Sequence, residues 1–190
     1  MSAKLSVIAI AVSSALLLSA CGGGGGGGTT AAPSSVITGT AAAGAPIIGK
    51  VTVKDSLGAQ KTVDIAADGK YTVDVAGMTG PFLFPAAGTV GGRDVALVSA
   101  ATSADMAKPT NTTPFTHLIV ANIAGMAAEQ YFTNNNPSAA TLTATELSTA
   151  TTALTERIRP VLAAMGVASS IDLLRTAFNA DRSGLDAVMD

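Results

Sequence analysis

Hydrophobic and polar positions change rhythm several times along this chain. Leu5 to Ala20 is an apolar run diluted by serines, and Cys21 and seven consecutive glycines, Gly22 to Gly28, follow it. From Val36 onward, short segments alternate apolar and polar residues with the two-residue period of a half-buried strand. Val51-Thr52-Val53, Thr62-Val63-Asp64-Ile65 and Lys70-Tyr71-Thr72-Val73-Asp74-Val75 show it most clearly, and Phe82-Leu83-Phe84 and Val95-Ala96-Leu97-Val98 add two more. About six or seven strands at this spacing predict an antiparallel sandwich. Asp68-Gly69 and Gly91-Gly92 read as hairpin turns. Pro81 and Pro85 bracket the Phe82 strand and place it at a sheet edge, because proline cannot donate to a ladder.

The period becomes helical at Thr113. Thr113 is a suitable N-cap, and Pro114 takes the first helical position, where its missing N–H costs nothing. Phe115, Leu118, Ile119 and Met126 then fall on one face, and His117, Val120, Ala121, Ala124 and Ala128 on a second. A helix apolar on most sides is a buried one, expected between the strands and the helices that follow. Asn134-Asn135-Asn136-Pro137 ends this unit. Thr143-Ala144-Thr145-Glu146 is a capping box, and Leu147, Ala150, Leu154, Ile158, Val161, Leu162 and Met165 continue one stripe to Gly166, with Pro160 expected to kink the helix. Ile171 to Arg175 predicts a short helical turn. Leu185, Val188 and Met189 open another stripe where the sequence stops, a pattern that reads as a fragment of a longer protein. The expected fold class is α+β, with an antiparallel β-sandwich over 36–108 and an α-helical region over 109–190.

Composition narrows this picture. With no Trp, two Tyr and five Phe, the interior must be built from Val, Ile, Leu, Met and Ala. Cys21 is the single cysteine, so no internal disulfide can form. The net charge of −2 comes without any cluster of Lys and Arg, which disfavours nucleic acid as a partner.

Lys4, the apolar run and the small residues Leu18-Ser19-Ala20 before Cys21 have the layout of a secretory signal. The Leu18–Cys21 stretch resembles the lipobox of bacterial lipoproteins cut by signal peptidase II. That resemblance implies cleavage at Leu18, Ser19 and Ala20 and lipid attachment at Cys21. Residues 1–20 are then a signal peptide, and 21–35 a lipidated cysteine with a glycine-rich tether. An uncleaved anchor is the alternative, since the run approaches the ~20 apolar residues of a membrane span; the serines and the lack of stop-transfer charges weigh against it. Several acyl chains anchor stably, at ~0.8 kcal/mol per buried methylene. Gly22, where an Asp would favour inner-membrane retention, points to the outer membrane. The glycine run reads as a flexible spacer, because no Lys-Ser/Thr follows it as a phosphate-binding loop requires.

Ile37-Thr38-Gly39-Thr40, then Gly44-Ala45-Pro46-Ile47-Ile48-Gly49-Lys50-Val51-Thr52-Val53, then Ala67-Asp68-Gly69-Lys70-Tyr71-Thr72-Val73 resemble the carboxypeptidase regulatory-like domain, a transthyretin-like β-sandwich. Lys50 stands where that family usually has a small residue. With the lipobox, the polyglycine and Asn111-Thr112-Thr113-Pro114-Phe115-Thr116-His117-Leu118, the arrangement is similar to a group of uncharacterised proteobacterial lipoproteins. The resemblance implies a binding or accessory domain and transfers no catalytic residue.

The chemistry-bearing residues are sparse. His117 is the only histidine, and one histidine without carboxylates on its own helix turn cannot build a catalytic zinc site. No serine lies in Gly-x-Ser-x-Gly, and Ser103-Ala104-Asp105-Met106 lacks the Lys of a Ser-x-x-Lys nucleophile. Asp64, Asp68 and Asp74 fall in one expected hairpin, as a solvated turn and face. Asn111-Thr112-Thr113 fits a glycosylation acceptor but reads as a loop and a cap. Asn179, Asp181, Ser183 and Asp190, with Gly184 at the sixth position, match a calcium-loop spacing imperfectly, with Asn at the first position and Asp at the last; Asp181 or Ser183 capping the last helix explains the same letters. No catalytic residue, metal or cofactor is assigned. The expected function is that of a lipid-anchored, non-enzymatic envelope binding module, probing an envelope protein or glycan, with a structural or adhesive surface module as the alternative.

Overall fold

The computed structural model describes residues 35–133 and 142–190. Among these, six strands form two antiparallel sheets. In the smaller sheet β1 (Val36–Thr40) pairs with β4 (Lys70–Asp74), and Gly39 lies opposite Tyr71. The larger sheet holds β2 (Ile48–Lys54), β3 (Gln60–Asp64), β5 (Phe82–Val90) and β6 (Arg93–Ala101) in the order β3-β2-β5-β6. Helices α1 (Pro114–Ala124), α2 (Ala128–Thr133), α3 (Ala144–Ala164) and α4 (Gly184–Ala187) follow, so the chain is α+β in class. Gly91 and Gly92, both at positive φ, close the β5–β6 hairpin as expected of a two-residue turn whose twist suits the strands.

The Phe82 strand is not at an edge. β5 lies between β2 and β6, with an unbroken ladder to β6. Pro85 is accommodated because the pairing with β2 skips Thr52 and Val53, the positions opposite Pro85 and Phe84. The missing donor therefore interrupts one ladder and leaves the other whole. Asp68-Gly69 does not close a ladder either: β3 and β4 belong to different sheets, and this turn carries the chain from one sheet to the other. Asp64, Asp68 and Asp74 are consequently not members of one hairpin.

Strand alternation gives the larger sheet two buried faces. Val51, Val53, Phe82, Phe84 and Ala86 meet Ile37, Tyr71 and Val73 of the smaller sheet in one cluster. Leu83, Val98 and Ala100 point the other way, into a second cluster with Ile119, Val120, Leu147, Leu162, Leu173 and Leu174. Residues from both halves of the chain share this second core.

Helix α1 packs between β6 and α3, as its apolar surface predicts. The capping box at its start is formed, with the Thr113 hydroxyl accepting from the Thr116 N–H. The helix is shorter than the sequence pattern suggests, because Gly125 adopts the left-handed conformation that ends it, and α2 begins separately. Leu118 and Met126 are exposed, as are Val161 of α3 and Met165 just past its end. The rest of the predicted α3 stripe, Leu147, Ala150, Leu154, Ile158 and Leu162, packs into the second core, and Thr151 and Thr155 join it on the buried face, with both threonine hydroxyls donating to the carbonyl four residues earlier. That bond hides the hydroxyl from the apolar neighbours and lets threonine take an inward position. The α3 capping box is formed, and the helix runs through Pro160 to Ala164.

Ile119 lies in the second core with essentially no exposure. Ile119→Asp would bury an unpaired carboxylate and is expected to cost several kcal/mol, enough to unfold a domain of ordinary stability. A urea melt indistinguishable from the parent's would overturn the placement of α1.

Candidate functional site

Thr110, Asn111, Thr112 and Thr113 are fully buried despite their polar side chains. They run alongside β1 in parallel: Thr110 N–H donates to Thr38 O, Thr112 N–H to Thr40 O, and Ala42 N–H to Thr112 O. A Cβ on Gly39 would collide with the Thr110 carbonyl, so glycine permits this approach. Tyr71, opposite Gly39, donates its hydroxyl to Thr110 O. Burial raises the Tyr71 phenol well above its ordinary value and keeps it a donor. Asn111 uses its whole amide, Oδ1 accepting from Thr40 N–H and Nδ2 donating to Thr176 O. Its backbone N–H donates to Leu174 O. Asn111 is thus a buried structural residue with no accessible amide for a glycan.

Arg175 stands beside this seam. Its guanidinium donates to Thr110 Oγ1 at 2.9 Å and to Ala100 O at 3.2 Å, and pairs with Asp105 Oδ2 at 2.9 Å. Asp105 also accepts from the Thr102 N–H and hydroxyl. Partial burial raises the Asp105 carboxyl. The Thr102 N–H, Arg175, the Thr102 hydroxyl and Lys108 outweigh that burial and hold it below the usual carboxylate range. Sequence reasoning tested Asp105 only as part of a nucleophile motif, and nothing local signals a partner this distant in the chain.

Asp105 and Arg175 line an open cleft of about 710 Å³. The helical turn Ser103–Asp105 and Lys108 lie on one side, the segment from Ser169 to Arg175 on another, and α3 forms the third with Leu147, Ser148, Thr151, Thr152, Thr155 and Glu156. Hydroxyl residues at four-residue spacing, 148 with 152 and 151 with 155, share a helix face. The four-residue spacing is visible in the sequence, on the same helix as the apolar stripe. The expected turn after Ile171 is present, with Asp172 Oδ1 accepting from the Leu174 and Arg175 N–H groups.

The other candidates disperse. Cys21 and the cleavage residues Leu18, Ser19 and Ala20 lie outside the described residues. His117 Nδ1 accepts from Val98 N–H at 3.2 Å on the open side of β6, and its Nε2 lies 3.7 Å from Glu129 of α2. Asp64 pairs with Lys50, Asp68 with Lys70 at 3.1 Å, and Asp74 accepts from Ala76 N–H. In the last segment Asp181 Oδ1 accepts from both the N–H and the hydroxyl of Ser183. Ser183 occupies the N-cap position of α4, but its hydroxyl serves Asp181 rather than the helix. Asp186 is buried, with Oδ2 accepting from Arg182 N–H and Oδ1 unpartnered. Burial raises the Asp186 carboxyl, Asp181 and Asp190 raise it further, and Arg182 only partly offsets them. Among the described residues no three His, Cys, Asp or Glu side chains are placed to hold a metal.

No known protein family, curated protein or solved structure matches the chain.

Because Asp105 is lowered on folding, its contribution is fully present above the ordinary carboxylate value of about 4 and is lost as pH falls through its lowered value. Asp105→Asn strands the mostly buried Arg175 and is expected to cost about 3 kcal/mol at neutral pH. Urea melts recorded against pH should show that gap closing in acid; equal stability at neutral pH would contradict the pairing. For the last segment, the internal hydrogen bonds of Asp181 require no ion, whereas an ion bound only to the folded state raises its stability. Thermal melts of the full chain in millimolar calcium and in chelator are expected to superimpose, and a calcium-dependent rise abolished by Asp181→Ala would refute this.

Proposed function

We propose that this chain is a lipid-anchored bacterial envelope protein whose folded part is a non-enzymatic binding module. Cys21 carries the lipid, the glycine run spaces the folded part from the membrane, and the outer membrane is the expected location. We further propose that the two sheets with their shared core form a transthyretin-like sandwich of the carboxypeptidase regulatory-like kind. The observation that carries the binding reading is the cleft between α3 and Arg175, large enough for a small ligand and rimmed by polar groups around an apolar floor. The carboxylates there favour binding over chemistry. Asp105 is held by Thr102 and Arg175, Asp172 accepts two backbone N–H groups, and Glu156 pairs with Arg159. A general acid or base works best with its pKa near the working pH, whereas the Asp105 carboxyl is held below the usual carboxylate range.

The anchor is tested directly by expression in a Gram-negative host fed labelled palmitate. The parent chain is expected to take up label and sediment with membranes, and Cys21→Ser to remain an unlabelled precursor, since a hydroxyl does not replace the thiol as acyl acceptor. Label retained by the Cys21→Ser chain would refute the assignment.

A further inference from the structure

We propose that the cleft between α3 and the Ser169–Arg175 segment binds a neutral oligosaccharide. The inference rests on the binding-module reading and names its ligand class. Three features of the cleft lead to it.

The first is charge. Every ionic group lining the cleft already has a counterpart in the fold. Arg175 pairs with Asp105 at 2.9 Å, Lys108 lies 3.8 Å from the same carboxylate, Glu156 pairs with Arg159, and Asp172 accepts two backbone N–H groups. Breaking the mostly buried Arg175–Asp105 pair would be costly to a charged ligand, and the exposed Lys108 and Glu156 pairs, worth little in themselves, offer it little in exchange. Neutral ligands meet no such penalty.

The second is the inventory of uncommitted polar groups. Thr151 and Thr155 spend their hydroxyls on α3 carbonyls. Ser148, Thr152, Ser169 and Ser170 also line the cleft, are exposed, and have no side-chain hydrogen bond among the described residues. A serine or threonine hydroxyl donates once and accepts twice. Sugar hydroxyls have the same dual character, so the two sets can pair without a fixed sense. Leu147, Ile171 and Leu174 supply an apolar floor against which the C–H face of a pyranose ring can lie. The volume of about 710 Å³ exceeds the space of a single ring.

The third is the absence of a strand edge from the lining. One way an extended peptide docks is by adding to such an edge. The lining here comes from α3, a helical turn and the 169–175 segment, and none of it is a strand.

Calorimetric titration of the full chain with chitotriose, maltotriose and cellotriose tests the proposal, with trigalacturonate and tetra-alanine as charged and peptide comparators. At least one neutral trisaccharide is expected to bind saturably. A triple variant, Ser148→Ala, Thr152→Val and Ser170→Ala, is expected to weaken it at least tenfold while keeping the parent's thermal midpoint. Binding of trigalacturonate or tetra-alanine alone, of nothing in the panel, or unchanged binding by the triple variant, would overturn the proposal. Ser148→Trp, which places a bulky side chain in the cleft, separates the two levels of failure. If no neutral trisaccharide binds but this variant loses capture of envelope material that the parent retains, the ligand class is wrong and the binding module stands. If capture is the same with the cleft obstructed, the cleft is not the binding site.

Discussion

Burial of four consecutive polar residues, Thr110 to Thr113, is the constraint on which the rest of the structure depends. A buried N–H, C=O or amide left unpaired costs about 1–3 kcal/mol, and this segment places many such groups away from water. Most of these groups find partners in several parts of the fold, while the Thr112 hydroxyl has none among the described residues. β1 takes the backbone of Thr110 and Thr112, Tyr71 of β4 reaches the Thr110 carbonyl, and Thr113 caps α1. Asn111 holds Leu174 and Thr176 from the far end of the chain. The seam therefore sets where the strands stop, where the first helix starts and where the last segment lies.

The larger sheet passes this constraint on to the hydrophobic interior. Because the start of β5 and the end of β6 are covered on both faces, Phe82, Leu83 and Phe84 are all fully buried, one residue after another. A strand of this kind loses the clean alternation of a solvent-facing sheet. The open side of β6 is closed by α1, whose His117 and Thr116 satisfy the N–H and C=O of Val98. Histidine here acts as a hydrogen-bond acceptor for an edge strand, a device that shields an otherwise unpaired ladder.

The candidate cleft is a consequence of the same seam. Arg175 lies between Leu174 and Thr176, the two residues whose carbonyls Asn111 grips. Its guanidinium is thereby brought against Thr110, Ala100 and Asp105, and the wall facing α3 is fixed.

Local pattern sufficed for whatever depends on near neighbours. The strand segments around Val51, Thr62, Lys70 and Val95, the Gly91-Gly92 turn, the Thr113 N-cap with Pro114 after it, and the Thr143 capping box follow from residue types within a few positions of one another, and they formed as the sequence predicts. The α+β class follows from the change of period at Thr113. Tertiary structure decided what depends on distant partners. Pro85 became tolerable in a central strand because only one ladder had to yield. Asp68-Gly69 joined two sheets because β3 and β4 found better partners elsewhere. Thr151 and Thr155 joined Leu147 and Leu162 on the buried face of α3 because their hydroxyls could bond to their own helix, while Val161 stayed exposed. The meeting of Asp105 with Arg175, seventy positions apart, has no local signature at all, since a charge pair in sequence is only a composition until the fold excludes water from between its members.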